Sequence, residues 1–172
     1  MTLTLSKDTI QWLLEAQERF DNKMRADKGI SDNQWDFYLD GNHKLALKVE
    51  LHEFVNECHD LWKYWKSKPI NRERILDEAI DVIHFVMLLT NKREKAHKQG
   101  RFEGLVNQDI ELNKDYPVFQ NLLLLSDMKK GVPNTLALLL IILDHYGFTE
   151  QDIIEQYKRK NAINFERLEE GY

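Results

Sequence analysis

Apolar residues recur every three or four positions along most of the chain, which is the spacing of amphipathic α-helices. Three prolines and seven glycines in 172 residues leave few positions that would interrupt a helix. The pattern therefore predicts an all-α protein, a bundle of about six helices in a single domain over residues 1–172. The predicted helices cover residues 7–27, 43–66, 71–99, 118–130 and 133–146, and the last begins at 150.

Caps and breaks set the bounds of these helices. Ser6, Asn71 and Thr149 are residue types that accept a hydrogen bond from the first turn of a helix. Residues 28–42 are rich in turn formers and are predicted to be a loop. Residues 101–117 show no clean period and are predicted to be a long connection or lid.

Two leucine-rich runs are apolar nearly all round, Leu122–Leu125 and Leu136–Leu143. Helices of this kind are buried on every side, either inside a protomer or in an oligomer interface. A chain of 172 residues has little room for two wholly interior helices. The runs therefore favour a homodimer.

The second predicted helix carries an apolar stripe and an acidic stripe. Its apolar positions alternate at steps of four and three: Leu47, Leu51, Phe54, Cys58, Leu61 and Trp65. Glu50, Glu53 and Glu57 share another face, because they lie at i, i+3 and i+7. At about 100° per residue, the acidic face lies roughly 100° from the apolar one. The carboxylates therefore flank the core and do not point straight into water.

The third predicted helix places an acidic residue inside an apolar run. Glu78 and Asp81 are one turn apart, and Asp81 opens the run DVIHFVMLL. A buried, unpaired carboxylate is costly, so Asp81 has to be paired, protonated or bound to metal. ExxE and ExxD motifs on two antiparallel helices would face each other, and a hard divalent cation would relieve their repulsion. Ligands that are all oxygen favour Mg²⁺ or Mn²⁺ over zinc.

Two other interpretations of the carboxylates stay open. An ExxE pair is most often a solvated helix face, which would make the chain a structural or interaction module without turnover. A ferritin-like di-iron bundle needs paired Glu-x-x-His motifs, whereas this chain has a single Asp-x-x-His, Asp81 with His84. His52 and His59 are seven residues apart, do not form the HExxH zinc motif, and are predicted to be exposed.

Charge and cysteine content narrow the class of function. The net charge of −5 argues against an extended surface for a nucleic-acid polymer, although not against a nucleotide bound with cations. The one cysteine, Cys58, lies on the apolar stripe and is predicted to be a core residue, not a nucleophile. The chain can form no internal disulfide, and the pattern contains neither a signal peptide nor a membrane span. A cytoplasmic location without membrane contact is therefore expected.

Further candidate residues lie outside the carboxylates. His84 shares a face with Asp81 and is either a satisfied core histidine or part of a site. Trp62 is placed to border a pocket and stack on a planar ligand, whereas Trp65 is predicted to be in the core. The C-terminal YKRKNAINFERLEEGY is either a helix end whose basic residues complement the helix dipole or a phosphate-binding arm whose amides read a base edge.

Together these motifs resemble the all-α nucleoside triphosphate pyrophosphohydrolases, the superfamily of MazG-like proteins and dimeric dUTP pyrophosphatases. The chain is most similar to the dimeric dUTPase branch. The resemblance runs from the helix of Gln17 through VELHEFVNE, KYW and DEAIDVIHF to KNAINFERLEEGY. It implies a homodimer that acts on a nucleotide, dUTP, with dUDP as a second candidate substrate.

Carried over residue by residue, the resemblance implies metal ligands and substrate contacts. The Mg²⁺ ligands would be Glu50, Glu53, Glu78 and Asp81, with Mn²⁺ as an alternative ion. Asp81 and His84 would lie near the deoxyribose. The residues framing the uracil would be Gln17, Trp62 and Asn164, and those contacting phosphates would be Lys160, Arg167 and Tyr172. Glu57 has no role in the family pattern, and it is either a further ligand or an acceptor behind the ligands.

The reaction implied by the resemblance is the hydrolysis of dUTP to dUMP and pyrophosphate. Metal ions would neutralise the charge that builds up on the triphosphate, and Glu53 would deprotonate the water that attacks phosphorus in line. No covalent intermediate is needed, which fits the absence of a nucleophile–base constellation from the sequence. A MazG-like pyrophosphohydrolase with another base preference is the alternative within the superfamily.

Overall fold

Seven α-helices make up most of the computed structural model, which describes residues 2–94 and 101–171. They are α1 (Lys7–Lys28), α2 (Asp40–Glu57), α3 (Arg72–Glu94), α4 (Arg101–Asn113), α5 (Val118–Asp127), α6 (Val132–His145) and α7 (Glu150–Glu169). A turn of π-helix, Gln34–Tyr38, precedes α2, and a 3₁₀ turn, His59–Leu61, follows it. The described residues contain no β-strand, which confirms the all-α prediction.

The predicted caps begin three of the helices. Ser6 and Asn71 each accept a hydrogen bond from the backbone N–H three residues later, at 3.2 Å. At the start of α7, Thr149 Oγ1 accepts from the Asp152 N–H at 3.2 Å, and the Asp152 carboxylate accepts from the Thr149 N–H at 2.7 Å. This reciprocal pair satisfies two backbone donors of the first turn. The predicted end of the third helix, near Gln99, lies outside the described residues.

The central helix of the fold is α3, which packs against α1, α2, α6 and α7. In turn, α6 packs against α4 and α5, and every residue from Leu136 to Leu143 is buried. One copy of the chain therefore already surrounds this leucine-rich run. Its burial gives no argument for a homodimer, which has to rest on other surfaces.

Helix α4 occupies most of the segment predicted to be a connection or lid, so that prediction is wrong. Its buried residues are Phe102, Val106, Ile110 and Asn113, at steps of four, four and three. The helical period is present in the sequence but confined to one narrow stripe. The stripe is narrow because α4 packs on α6 with one face and exposes the other.

Helix α2 ends at Glu57, well before the predicted end at Lys66. The indole Nε1 of Trp62 donates to the Val55 carbonyl at 2.9 Å. It thereby satisfies one of the carbonyl groups that a helix C-terminus leaves free. The chain then leaves the helix axis, and Trp65, predicted to be in the core, is 63% exposed.

Two consecutive residues at the end of α2 are buried, Cys58 and His59. Burial raises the pKa of the Cys58 thiol to about 12, which confirms a core residue and not a nucleophile. The prediction that His59 is exposed is wrong, because the 3₁₀ turn carries it inward. The same prediction is confirmed for His52.

The segment 28–42, predicted to be a loop, is partly helical. Trp35, in the π-helical turn, is buried, and its ring lies 4.4 Å from the ring of His43 between centroids. Lys92 of α3 donates to Asp40 at 3.2 Å. These tertiary contacts hold a helical conformation that the turn-forming residues alone do not favour.

Candidate active site

Three of the four predicted metal ligands meet where α2 packs against α3. One oxygen from each of Glu50, Glu78 and Asp81 lies within 4.8 Å of the other two. Glu50 belongs to α2, and the other two residues belong to successive turns of α3. Ionised carboxylates this close repel one another, and a hard divalent cation with oxygen ligands is the species that relieves the repulsion. The donor set therefore fits Mg²⁺ or Mn²⁺.

Glu53, the fourth predicted ligand, lies beside this cluster and not in it. It is exposed and lines an open cavity of about 780 Å³ together with Glu57, Arg74 and Glu78. Arg74 contacts Glu57 and Glu78, at 3.1 Å in each case. Glu57 is therefore an ion-pair partner of Arg74 beside the cluster.

Burial and the charges of neighbouring carboxylates raise the pKa values of all three clustered carboxyl groups. The pKa of Glu50 rises to about 7. The largest cause is burial of the carboxyl group, and the negative charges of Asp81, Glu53 and Glu78 raise the pKa further. The pKa values of Glu78 and Asp81 also lie above the usual range, mainly through burial. A cation that binds here has to displace protons near neutral pH.

Lys160 of α7 brings a positive charge to the edge of the cluster. Its ammonium donates to Asp81 Oδ2 and to the Asp77 carbonyl at 3.2 Å, and it forms an ion pair with Asp77 Oδ2 at 3.1 Å. The resemblance implies a phosphate contact for Lys160, whereas here its ammonium contacts three oxygens of α3. These bonds fasten α7 onto α3.

A buried hydrogen-bond network lies next to the carboxylates. Asp21 accepts from Gln17 Nε2 at 2.8 Å, so Gln17 Oε1 points away from Asp21. Oε1 accepts from His84 Nδ1 at 2.7 Å and from the Tyr157 hydroxyl at 3.0 Å. His84 therefore carries its proton on Nδ1. Its buried Nε2 is left as an acceptor without a partner among the described residues.

A cavity of about 450 Å³ lies between this network and the carboxylates. Its polar lining is Gln17, Asp21, Lys28, His43, Glu50, Asp81, His84, Asn164 and Arg167. Its remaining walls are apolar or aromatic: Phe20, Met24, Trp35, Phe85, Leu88 and Leu168. A concave site with a few converging polar groups on an apolar background is typical of a small-molecule site.

The family model for dUTPase matches residues 9–172. The chain belongs to the dUTPase family. It is a dUTP diphosphatase, a hydrolase that converts dUTP to dUMP and pyrophosphate. The match includes α1 from its third residue, both carboxylate motifs and α7, which are elements that contribute to the cavity. A comparison with curated proteins finds no match.

The dUTPase cavity brings together five of the eight residues to which the resemblance assigns substrate contacts: Gln17, Asp81, His84, Asn164 and Arg167. Lys160 reaches its edge through Asp81. Tyr172 lies outside the described residues. Trp62 is absent from the lining and instead caps α2 through the Val55 carbonyl. Its place at the uracil, which the resemblance implies, stays a prediction.

Several residues that line or support this cavity had no predicted role. Asp21 and Tyr157 fix the amide of Gln17, and Trp35 and His43 close one wall of the cavity. The sequence did contain a signal for Asp21, because this residue follows Gln17 by one helical turn on an otherwise apolar face of α1. Trp35 had none, because its place depends on the π-helical turn.

The raised pKa of Glu50 predicts how pH changes the stability of the metal-free dUTPase. The pKa moves from 4.5 to about 7, so between these values the folded state binds more protons than the unfolded state. The free energy of unfolding therefore falls as pH rises through this window. We expect Glu50 to account for a loss of about 1–2 kcal/mol, after allowance for solvent screening.

Urea unfolding with a chelator present, at about pH 5 and about pH 8, measures this loss. Glu50→Gln is the matched control, because it keeps the shape of the side chain and removes the titration. The pKa values of His43 and His84 are lowered to about 4 and about 3, and they contribute the opposite slope in both proteins. The difference between wild type and variant therefore isolates Glu50. Equal slopes in the two proteins would contradict the prediction.

Proposed function

We propose that this dUTPase binds Mg²⁺ through Glu50, Glu78 and Asp81, and that Mn²⁺ can replace it. The observation that carries the proposal is the approach of three carboxylate oxygens to within 4.8 Å of one another beside the cavity. When bound, the ion would neutralise charge that develops on the triphosphate during phosphoryl transfer. The raised pKa values of the three carboxyl groups support a site that is strained without a cation.

Glu53 is the proposed general base in this scheme. It lies one turn after Glu50 on α2, is exposed, and lines the open cavity next to Glu78. Arg74 pairs with Glu57 and Glu78 but forms no ion pair with Glu53. Glu53 is thus placed to accept a proton from an attacking water while the clustered carboxylates hold the ion.

We propose that the nucleoside part of dUTP occupies the 450 Å³ cavity. The unpartnered Nε2 of His84 accepts only, so it suits a hydroxyl donor such as that of the deoxyribose. Gln17 Oε1 is already shared by His84 and Tyr157, which leaves Gln17 only its second Nε2 hydrogen to offer a ligand. Asn164 is the amide proposed to read the uracil edge, and Arg167 is the proposed phosphate contact.

Asn164→Ala tests the base-reading role. An amide serves as donor and acceptor, and uracil and cytosine differ in that pattern, so the variant is expected to lose about tenfold in selectivity. The measurement is kcat/KM for dUTP and for dCTP. Asn161→Ala, three residues earlier on α7 and outside the cavity lining, is the control and should keep the selectivity of wild type. Equal losses on both substrates for Asn164→Ala would contradict base reading.

A homodimer and action on dUDP are proposals that rest on the family, and a cytoplasmic location is a proposal that rests on the single cysteine. The exposed apolar side chains Leu45 and Val49 of α2, and Phe119 and Leu123 of α5, support a dimer because α2 and α5 are in contact. Within the described residues no single helix is long and apolar enough to cross a membrane. The pair α6 and α7 reaches that length and composition only across a bend of 112°.

A further inference from the structure

The ammonium of Lys160 contacts three oxygens of α3. It donates to Asp81 Oδ2 and to the Asp77 carbonyl, and it forms an ion pair with Asp77 Oδ2. The Lys160 side chain is 15% exposed, whereas the side chain of Asp77 is 42% exposed and that of Asp81 is 26% exposed. These contacts are part of the packing of α7 against α3.

Asp81 is shared between this ammonium and the proposed metal site. One of its oxygens approaches the carboxylates of Glu50 and Glu78, and the same carboxylate accepts from Lys160. A cation bound by the three carboxylates would be repelled by the ammonium, and it would compete with it for the lone pairs of Asp81. Lys160 therefore opposes metal binding as long as it bonds to Asp81.

Asp77 offers the ammonium a second position. Gln156, a buried residue of α7, donates to Asp77 Oδ1 at 2.8 Å, which fixes the carboxylate and leaves Oδ2 for Lys160. Asp77 lies one turn before Asp81 and is not a member of the metal cluster. Lys160 is thus able to give up its bond to Asp81 and still keep two of its three acceptors.

We propose that Lys160 is the counter-ion of the metal-free site, and that one of its N–H groups moves from Asp81 to a phosphate oxygen when metal and dUTP bind. Asp77 is the positioning residue that keeps the ammonium of Lys160 beside the site during this exchange. The exchange explains how one side chain can serve both the carboxylate seen here and the phosphate implied by the family. It involves no covalent step, because a hydrogen bond to one anion is replaced by a hydrogen bond to another. The inference rests on the proposed metal site.

Lys160→Gln separates the two roles of the ammonium. Without nucleotide, the variant should bind Mn²⁺ about fivefold more tightly than wild type, because neither repulsion nor competition remains. With Mg²⁺ present, it should bind a non-hydrolysable dUTP analogue about tenfold more weakly, because a charged donor to phosphate is lost. Isothermal titration calorimetry measures both affinities. If Lys160 were needed only for folding, its substitution would change the affinities for Mn²⁺ and for the dUTP analogue in the same direction.

Lys158→Gln is the matched control. It removes the same charge from α7, two residues away, where Lys158 is exposed and lies over the Trp12 ring. Both of its affinities should stay within about twofold of wild type, because exposed charges at a distance are screened. Lys160→Met, which keeps much of the apolar stem, carries the same expectations as Lys160→Gln and serves if the glutamine variant fails to fold.

Asp77→Asn tests the positioning role through its dependence on Lys160. In the wild-type background it should weaken Mn²⁺ binding about threefold, because Lys160 then holds Asp81 more firmly. In the Lys160→Gln background it should have almost no effect, because the residue it positions is gone. An equal loss in both backgrounds would overturn the role, since Asp77 would then act on the ion by its own charge.

The outcomes for the metal site and for the counter-ion are distinguishable. If wild type binds no Mn²⁺ in calorimetry, the proposed metal site fails and the inference fails with it. If wild type and Lys158→Gln bind Mn²⁺ alike but both Lys160 variants bind it no more tightly, the metal site stands and the counter-ion role is overturned.

Discussion

Asp81→Asn is expected to lower the turnover of dUTP by about a thousandfold, which is the loss that follows from removing a charge at the centre of an electrostatic site. Asp81 is the one carboxylate that both joins the three-oxygen cluster and accepts from Lys160. The substitution keeps the size of the side chain. The fold should survive, because Lys160 keeps its contact with Asp77 and because the repulsion that Asp81 exerts on Glu50 and Glu78 is removed.

Pyrophosphate release at saturating dUTP and Mg²⁺ measures this loss. Glu73→Gln is the control, because it removes a carboxylate from an exposed position two turns earlier on α3, outside the cluster. It should retain nearly all activity, and both variants should melt within a few degrees of wild type. Turnover by Asp81→Asn within about tenfold of wild type would contradict the placement of the site.

Glu53→Gln is expected to lower kcat by about 10²- to 10⁴-fold, the range for loss of a general base. KM and the affinity for Mn²⁺ should change little, because Glu53 lies outside the three-oxygen cluster. Steady-state kinetics together with calorimetry give the two quantities.

Glu50→Gln is the comparison variant for Glu53→Gln, because it alters a member of the cluster and should weaken metal binding directly. If Glu53→Gln weakens metal binding as much as Glu50→Gln does, Glu53 is a ligand, as the sequence motif implies, and not the base.

The acidic motifs were predictable because they depend on a short-range property, the helical repeat. Glu78 and Asp81 fall one turn apart whatever the surroundings, and α2 and α3 lie side by side as the two-motif pattern requires. The helix caps at Ser6 and Thr149 were predictable for the same reason, since each bonds within its own first turn.

The misassigned features depend on contacts between distant residues. The bond from Trp62 to the Val55 carbonyl ends α2 and exposes Trp65, although the apolar spacing alone continues to Trp65. The buried run in α6 is covered by α3, α4 and α5 of the same chain. The number of leucines in a sequence does not distinguish burial within one chain from burial in a dimer interface.

The link from Lys160 to Asp81 was also beyond prediction from the sequence. It spans 79 positions along the chain, and basic residues at the end of a helix have an ordinary explanation in the helix dipole. The spacing of Gln156 and Lys160 on α7 matches that of Asp77 and Asp81 on α3, but this match becomes visible only once the two helices are known to pack together.

The most direct test of the central claim is pyrophosphate release by the wild-type protein from dUTP, dCTP, dTTP, dATP and dGTP, each assayed with Mg²⁺ and again with excess chelator. The account predicts release from dUTP at a rate well above that of every other nucleotide, and its loss when the chelator removes the cation. Release from dUTP that continues at full rate in the chelator would contradict the carboxylate site, and equal release from all five nucleotides would contradict a cavity selective for uracil.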